Sequence, residues 1–334
     1  MVVAGFIVLG IAGLFQGSFG LGMKKYQPFS WEAFWAVYSI LGMVLVPFVW
    51  TAIEVPGFMN YLRQTPMSIW IPAAVCGLFW GITAIGFGKA IDILGMSLTY
   101  GIAMGVSAVV GALFPLFMGN TTPNPRFLTI MLIGTAVMLV GVGVITKAGI
   151  MKDKEMQQQE NKNDKFTLGL ILAFISGLGS AANNIGFAYA NYPSQLAVAD
   201  GVNATSASQL AWLVVFSGGF IANFGYALIL LVKNRTFSNY MEKGCGIAYG
   251  KALITAAMWL AALFVYGKAT VLLGVYGPVV GWICFNALAL IISNAWGIRD
   301  GEWKGHEKPK KVMILANLIL IISWVIMGIA NGMA

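Results

Sequence analysis

The residues of this sequence best equipped for specific chemistry are neutral. Gln16, Ser18, Thr83, Tyr100, Ser107, Asn183, Asn184, Gln209, Asn223, Tyr276 and Asn286 all fall inside long apolar runs, with Trp80, Trp259 and Trp282 at comparable depth. Amides and hydroxyls offer paired donors and acceptors, and indole rings offer flat apolar faces. Such a set suits a neutral polyhydroxylated ligand, whose hydroxyls need partners and whose C–H faces stack on rings. The candidate binding residues are Gln16, Trp80, Tyr100, Ser107, Asn183, Asn184, Trp259, Tyr276, Trp282 and Asn286. Asn183 and Asn184 lie mid-span with no loop nearby, which favours ligand binding over interhelical hydrogen bonding. Trp80 and Trp259 are equally compatible with an interfacial aromatic belt.

Charged and nucleophilic groups point away from catalysis. Cys76, Cys245 and Cys284 are scattered without metal-ligand spacing, and the single histidine, His306, lies in a charged loop. HExxH, GxSxG and Walker patterns are absent, so neither an enzyme, a metal nor a cofactor is expected. ATP-driven transport would need a separate subunit. Every Asp and Glu lies at a span end or in a loop, including Glu32, Glu54, Asp92 and Asp200. That argues against a charged channel ring and against highly charged substrates. Glu32, just after Ser30, reads as a helix-end electrostatic feature. Lys89 and Lys268 are expected to snorkel to the headgroups, although Lys268 lies on the side where basic residues are scarce.

The elements that position these residues follow from composition. Of 334 residues, 59% are hydrophobic and 10% charged, against roughly 25% charged in a soluble domain. Continuous apolar runs near the ~20 residues that cross a bilayer predict helices at 2–23, 31–53, 69–88, 94–118, 127–147, 167–190, 206–232, 250–267, 271–295 and 312–333. Seventeen of the 20 basic residues fall in the odd-numbered connections, leaving Arg63, Arg126 and Lys268 in the even ones. By the positive-inside rule the odd connections are cytoplasmic and both termini extracytoplasmic. The net charge of +8 is thereby assigned to topology, not to nucleic acid. Lys24 and Lys25 follow the first helix instead of preceding it, so it reads as an uncleaved span.

The two halves resemble each other. Gly88-Lys89-Ala90 through Leu94-Gly95 matches Gly267-Lys268-Ala269 through Leu273-Gly274 at an offset of 179, which also pairs Trp80 with Trp259, Phe87 with Tyr266 and Ser107 with Asn286. An offset of 164 pairs Ile11, Gly13, Leu14 and Gly22 with Ile175, Gly177, Leu178 and Gly186. Small residues spaced by four, such as Gly13/Gly17, Gly101/Gly105 and Gly177/Ala181, favour close helix packing. The expected fold is an all-α membrane protein of ten transmembrane helices in two inverted five-helix repeats, residues 1–150 and 167–334, joined by a polar cytoplasmic linker at 151–166. That architecture is characteristic of alternating-access carriers. Gly277-Pro278 is expected to interrupt span nine and free backbone groups for a ligand or hinge.

Particular runs are similar to a known family. Phe79-Trp80-Gly81, Gly86-Phe87-Gly88, Leu94-Gly95-Met96-Ser97 and Gly101-Ile102-Ala103 resemble the L-rhamnose–proton symporter family of the drug/metabolite transporter superfamily. Ser30-Trp31-Glu32, Gly141-Val142-Gly143, Thr146-Lys147-Ala148-Gly149, Gly218-Gly219, Asn223-Phe224-Gly225 and Gly301-Glu302-Trp303-Lys304-Gly305 follow the same order. The resemblance implies an inner-membrane secondary active transporter that imports L-rhamnose or a related sugar with protons; no required protein partner is evident in the sequence. Where the family pattern can carry an aspartate after Tyr276, this chain has Gly277. An exporter of small neutral metabolites and a non-transporting membrane sensor are the alternatives.

Overall fold

Helices become obligatory once apolar runs of bilayer length have no water to satisfy their backbone groups. A computed structural model describes residues 2–23, 25–94, 96–118, 123–156 and 166–334. Lys24, Gly95, Lys162, Lys165, the side chain of Asp92 and most of the expected linker lie outside the described residues. Among those described, ten helices are long and apolar enough to cross a membrane. They are α1 (Val2–Met23) and α2 (Trp31–Glu54), α3 (Met67–Leu94), α4 (Met96–Met118), α5 (Pro125–Met156) and α6 (Phe166–Tyr189), then α7 (Gln209–Asn234), α8 (Cys245–Leu273), α9 (Gly277–Arg299) and α10 (Glu307–Asn331). All ten expected spans are present. The chain is a multi-pass helical membrane protein.

Local chemistry sets the ends. Ser30 caps α2 by accepting from the Ala33 N–H (3.4 Å), and Glu32 in the first turn meets the positive end of the helix. Within α2 the turn Leu41–Leu45 widens to a π-turn just before Pro47, which has no N–H to give the helical ladder. α5 continues past its expected end at 147 because its last turns dock on the α9–α10 loop. There Lys152 lies 4.9 Å from the Trp303 ring and Glu155 lies 2.6 Å from His306 Nδ1.

Span nine departs from expectation. Gly277 and Pro278 begin α9, with Tyr276 as the residue before it, so they do not interrupt a helix. Proline belongs there because a first-turn residue has no intrahelical partner for an N–H. The Pro278 carbonyl is not free for a ligand either: Asn184 Nδ2 donates to it (3.1 Å), with the Tyr266 hydroxyl 3.3 Å away.

Packing between the halves is reciprocal. α3 packs against α6 and α7, and α8 packs against α1 and α2. α4 packs against α6 and α5, and α9 against α1 and α10. The contacts α4·α9, α2·α7 and α5·α10 join corresponding helices. The correspondence extends to single residues. A Cβ on Gly5 would lie 2.9 Å from Leu273 and 3.3 Å from Leu272, and one on Gly169 would lie 2.6 Å from Leu94 and 2.9 Å from Ile93. These two contacts are related by the offsets 164 and 179. So are Gly22 against Thr255 and Gly186 against Cys76.

Candidate functional site

The site is built around two indoles. Trp80 on α3 and Trp259 on α8 stack with ring centroids 5.5 Å apart and planes 6° from parallel. Trp259 is buried and meets Tyr38 edge-on (5.9 Å) and Phe216 at a tilt (5.2 Å). From Tyr38 the aromatic track continues along α2 to Trp35 (5.1 Å) and from there to Trp31 (5.1 Å, stacked), which is exposed. Trp35 donates Nε1 to Asn223 Oδ1 (3.1 Å), and Asn223 donates Nδ2 to the Gly219 carbonyl (2.9 Å). Gly219 in turn leaves room for Trp80, whose ring would lie 3.0 Å from a Cβ there.

The adjacent asparagines divide their roles. Asn184 is fully buried, donates to the carbonyls of Gly111 (2.9 Å) and Pro278 (3.1 Å), and accepts from the Tyr266 hydroxyl (2.6 Å). It thus joins α6 to α4, α8 and α9, and its amide is fully engaged in interhelical bonds. Asn183 is also buried, but its Oδ1 has no partner. Gly179 and Gly186, four residues before and three after Asn183, face Thr83 and Cys76 of α3. Asn183 shares that stripe of α6, and Trp80 lies on the α3 stripe running from Cys76 to Thr83. An unpartnered buried carbonyl oxygen on the α6 stripe facing the helix of Trp80 is the kind of acceptor a sugar hydroxyl needs.

Other candidates fall into three groups. Trp282 donates Nε1 to the Ser107 carbonyl (3.1 Å) and Oγ (3.2 Å), and Ser107 Oγ donates to Ser180 Oγ (2.9 Å). Asn286 donates back to the Trp282 carbonyl (2.8 Å). With Ser180, the three candidates form one polar seam between α4, α6 and α9. Gln16 on α1 keeps a buried Oε1 without a partner, as does Thr255 Oγ1 one turn from Trp259. Tyr276 and Tyr100 are not part of the indole cluster: Tyr276 stacks on Phe127 (4.3 Å) and Tyr100 meets Phe87 edge-on (4.9 Å).

The arrangement therefore combines stacked indoles with unmet hydrogen-bonding capacity, in helices from both ends of the chain. A family described as L-rhamnose-proton symport protein (RhaT) matches residues 2–334. The chain belongs to that family. An L-rhamnose-proton symporter from Escherichia coli (strain 55989 / EAEC) is 29% identical over 326 residues, covering 93% of this chain and 92% of that protein. One from Escherichia coli O17:K52:H18 (strain UMN026 / ExPEC) is 29% identical over 322 residues with the same coverage. A solved crystal structure superposes with a TM-score of 0.59 at 12% identity, covering 97% of this chain and 96% of that one, and so shares the fold.

Within this family member, two features escaped sequence reasoning. The first is the aromatic stripe of α2. Trp31, Trp35 and Tyr38 are spaced by four and three residues, a helical stripe visible in the sequence. The second is Lys268, expected to snorkel. Its Nζ instead lies 2.6 Å from both carboxylate oxygens of Glu54 at the end of α2. At the other end of α2, Glu32 accepts from Asn234 Nδ2 (3.1 Å), the last residue of α7, and from Thr236 Oγ1 (2.8 Å) just after it. Nearby, in the α7–α8 connection, Tyr240 donates to the Ala33 carbonyl (3.2 Å). Burial, with Tyr249 and Glu32 adding to it, pushes the Tyr240 hydroxyl up to about 12 and keeps it a donor.

Proposed function

We propose that this chain is a secondary active transporter that imports L-rhamnose or a related sugar together with protons, by alternating access, in the cytoplasmic membrane. The observation that carries the reading is the Trp80–Trp259 stack. Its two rings come from the two halves, and they occupy corresponding places in them. Thr255, one turn from Trp259 on α8, and Asn183, on the stripe of α6 that faces α3, keep unpartnered oxygens, as does Gln16 on α1.

The stack also constrains the mechanism. A pyranose held between two rings needs them roughly 7–8 Å apart, twice the 3.5–4.0 Å carbon contact distance. At 5.5 Å the rings exclude it. Because Trp80 belongs to α3 and Trp259 to α8, parting them moves one half against the other. Ligand entry and rocking of the halves are then one event, and no remote signal is needed.

Two five-helix repeats, 1–150 and 167–334, of inverted topology are the architecture this reading uses, with the linker 151–166 on the cytoplasmic side and both termini outside. The reciprocal packing and the recurrence of contacts at offsets 164 and 179 support it, as does the charge bias of the connections. Purified protein in proteoliposomes should accumulate labelled L-rhamnose against its gradient when an inward proton gradient is imposed. Absence of uptake across a panel of deoxysugars and hexoses would reject the assignment.

A further inference from the structure

We infer that Glu54 and Lys268 form a latch that holds the two halves together at the face opposite the basic connections, and so sets which side of the carrier rests closed. The inference builds on the alternating-access reading. Glu54 ends α2, in the first half; Lys268 lies in α8, in the second, with Nζ 2.6 Å from each carboxylate oxygen. Gln209, opening α7, donates Nε2 to Glu54 Oε2 (2.7 Å), and Ser206 adds a further hydrogen bond. Thr51, one turn back on α2, donates to Gln209 Oε1 (3.3 Å), and Trp50 donates Nε1 to Glu54 Oε1 (2.7 Å). Every named partner from outside α2 thus belongs to the second half. Lys268 is the charged group that faces the carboxylate; Gln209, Ser206 and Trp50 are neutral.

An exposed ion pair at a surface would contribute little. Here each side chain is only 23% exposed. Lys268 lies five residues before Leu273 at the end of α8, about 7.5 Å inside it at 1.5 Å per residue. Parting the halves at this face leaves two charges in surroundings of low dielectric unless water enters with them. Glu32, at the opposite end of α2, is held by the neutral donors Asn234 and Thr236. One end of the interface therefore closes on an opposite-charge pair and the other on a single carboxylate held by neutral donors, which biases the empty protein towards closure at the Glu54 end.

The test reads conformation, not flux. Thr51 is fully buried beneath the pair, so Thr51→Cys, in a background with Cys76, Cys245 and Cys284 replaced by serine, reports opening of this face. Its reaction with a membrane-impermeant maleimide, added outside without sugar, should be slow. Glu54→Gln and Lys268→Gln should each raise the rate roughly tenfold, a typical coupling between sites, and either single variant suffices if the other does not fold. The charge exchange Glu54→Lys/Lys268→Glu should bring the rate back towards the starting value. Unchanged labelling in the single variants overturns the latch. So does an exchanged pair that labels as fast as they do, because charge complementarity would then not be what closes the face. A wild-type protein that transports no sugar yet shows this labelling pattern would reject the substrate reading and leave the latch standing.

Discussion

Trp80 and Trp259 lie against one another, 5.5 Å between centroids and 6° between planes, although 179 residues separate them. The same offset matches the Gly88–Leu94 run of α3 with the Gly267–Leu273 run of α8. Under the proposed inverted repeat, equivalent residues of the two copies touch only where the axis relating them passes, so the pair would mark that axis. A carrier whose halves rock about such an axis must part this contact or rotate it in every cycle.

Trp80→Ala and Trp259→Ala should therefore weaken sugar binding by similar factors. Stacking on an aromatic face is worth about 0.5–1.5 kcal/mol beyond area burial, so a loss of about 2- to 12-fold in affinity is expected for each. Saturating sugar should also change the tryptophan fluorescence of the wild type as the rings separate, and Trp259→Phe should remove most of that change. Titration by fluorescence and by equilibrium binding checks both statements. A tenfold asymmetry between the two alanine variants would count against a site on the axis.

Asn183 and Asn184 should separate binding from stability. Asn184→Ala strands the Gly111 carbonyl and leaves the Tyr266 hydroxyl and the Pro278 carbonyl only their longer contact with each other (3.3 Å). The expected cost is about 1–2 kcal/mol, seen as a lower melting temperature in detergent. Asn183→Ala removes an oxygen that has no partner in the protein, so melting should fall less than for Asn184→Ala while the stabilisation by added sugar is lost. The reverse pattern would place the ligand at Asn184.

How much of this was legible in the sequence depends on the range of the signal. The ten spans were readable because the bilayer imposes a run length, and the indole pair because a repeat leaves an offset. The α2 stripe of Trp31, Trp35 and Tyr38 was readable too, since its spacing is local. The different fates of Asn183 and Asn184 turn on one residue, about 100° of rotation around α6, and on where Tyr266 and Gly111 lie across the interface. Glu54 and Lys268 are 214 residues apart; no periodicity connects them, and only the packing of α2 against α8 does.

The crossing of α3 and α7 should tolerate no added carbon. A Cβ on Gly77 would fall into the Val215 carbonyl, and one on Gly218 into the Ala74 carbonyl. Both obstacles are backbone, so relief requires moving a helix. Gly77→Ala and Gly218→Ala should each cost about 1–3 kcal/mol or more and lower the yield of monodisperse protein. Gly10→Ala and Gly143→Ala, where nothing lies within 4 Å of the new carbon, are the controls and should purify as the wild type does. Size-exclusion profiles and melting curves distinguish the two sets.

Orientation can be checked without any substrate. Asn60 is exposed on the short helix Phe58–Gln64 between α2 and α3, a connection whose one basic residue is Arg63. Lys243 is exposed between α7 and α8, beside Lys233, Arg235 and Lys251. In a cysteine-free background, Asn60→Cys should react with an impermeant thiol reagent on intact cells. Lys243→Cys should react only after the membrane is permeabilised, because basic connections are retained on the cytoplasmic side. The opposite labelling would turn the molecule over. It would place the Glu54–Lys268 pair at the cytoplasmic face and the exposed Trp31 at the outer one, so that a carrier resting closed at Glu54 would open towards the outside first.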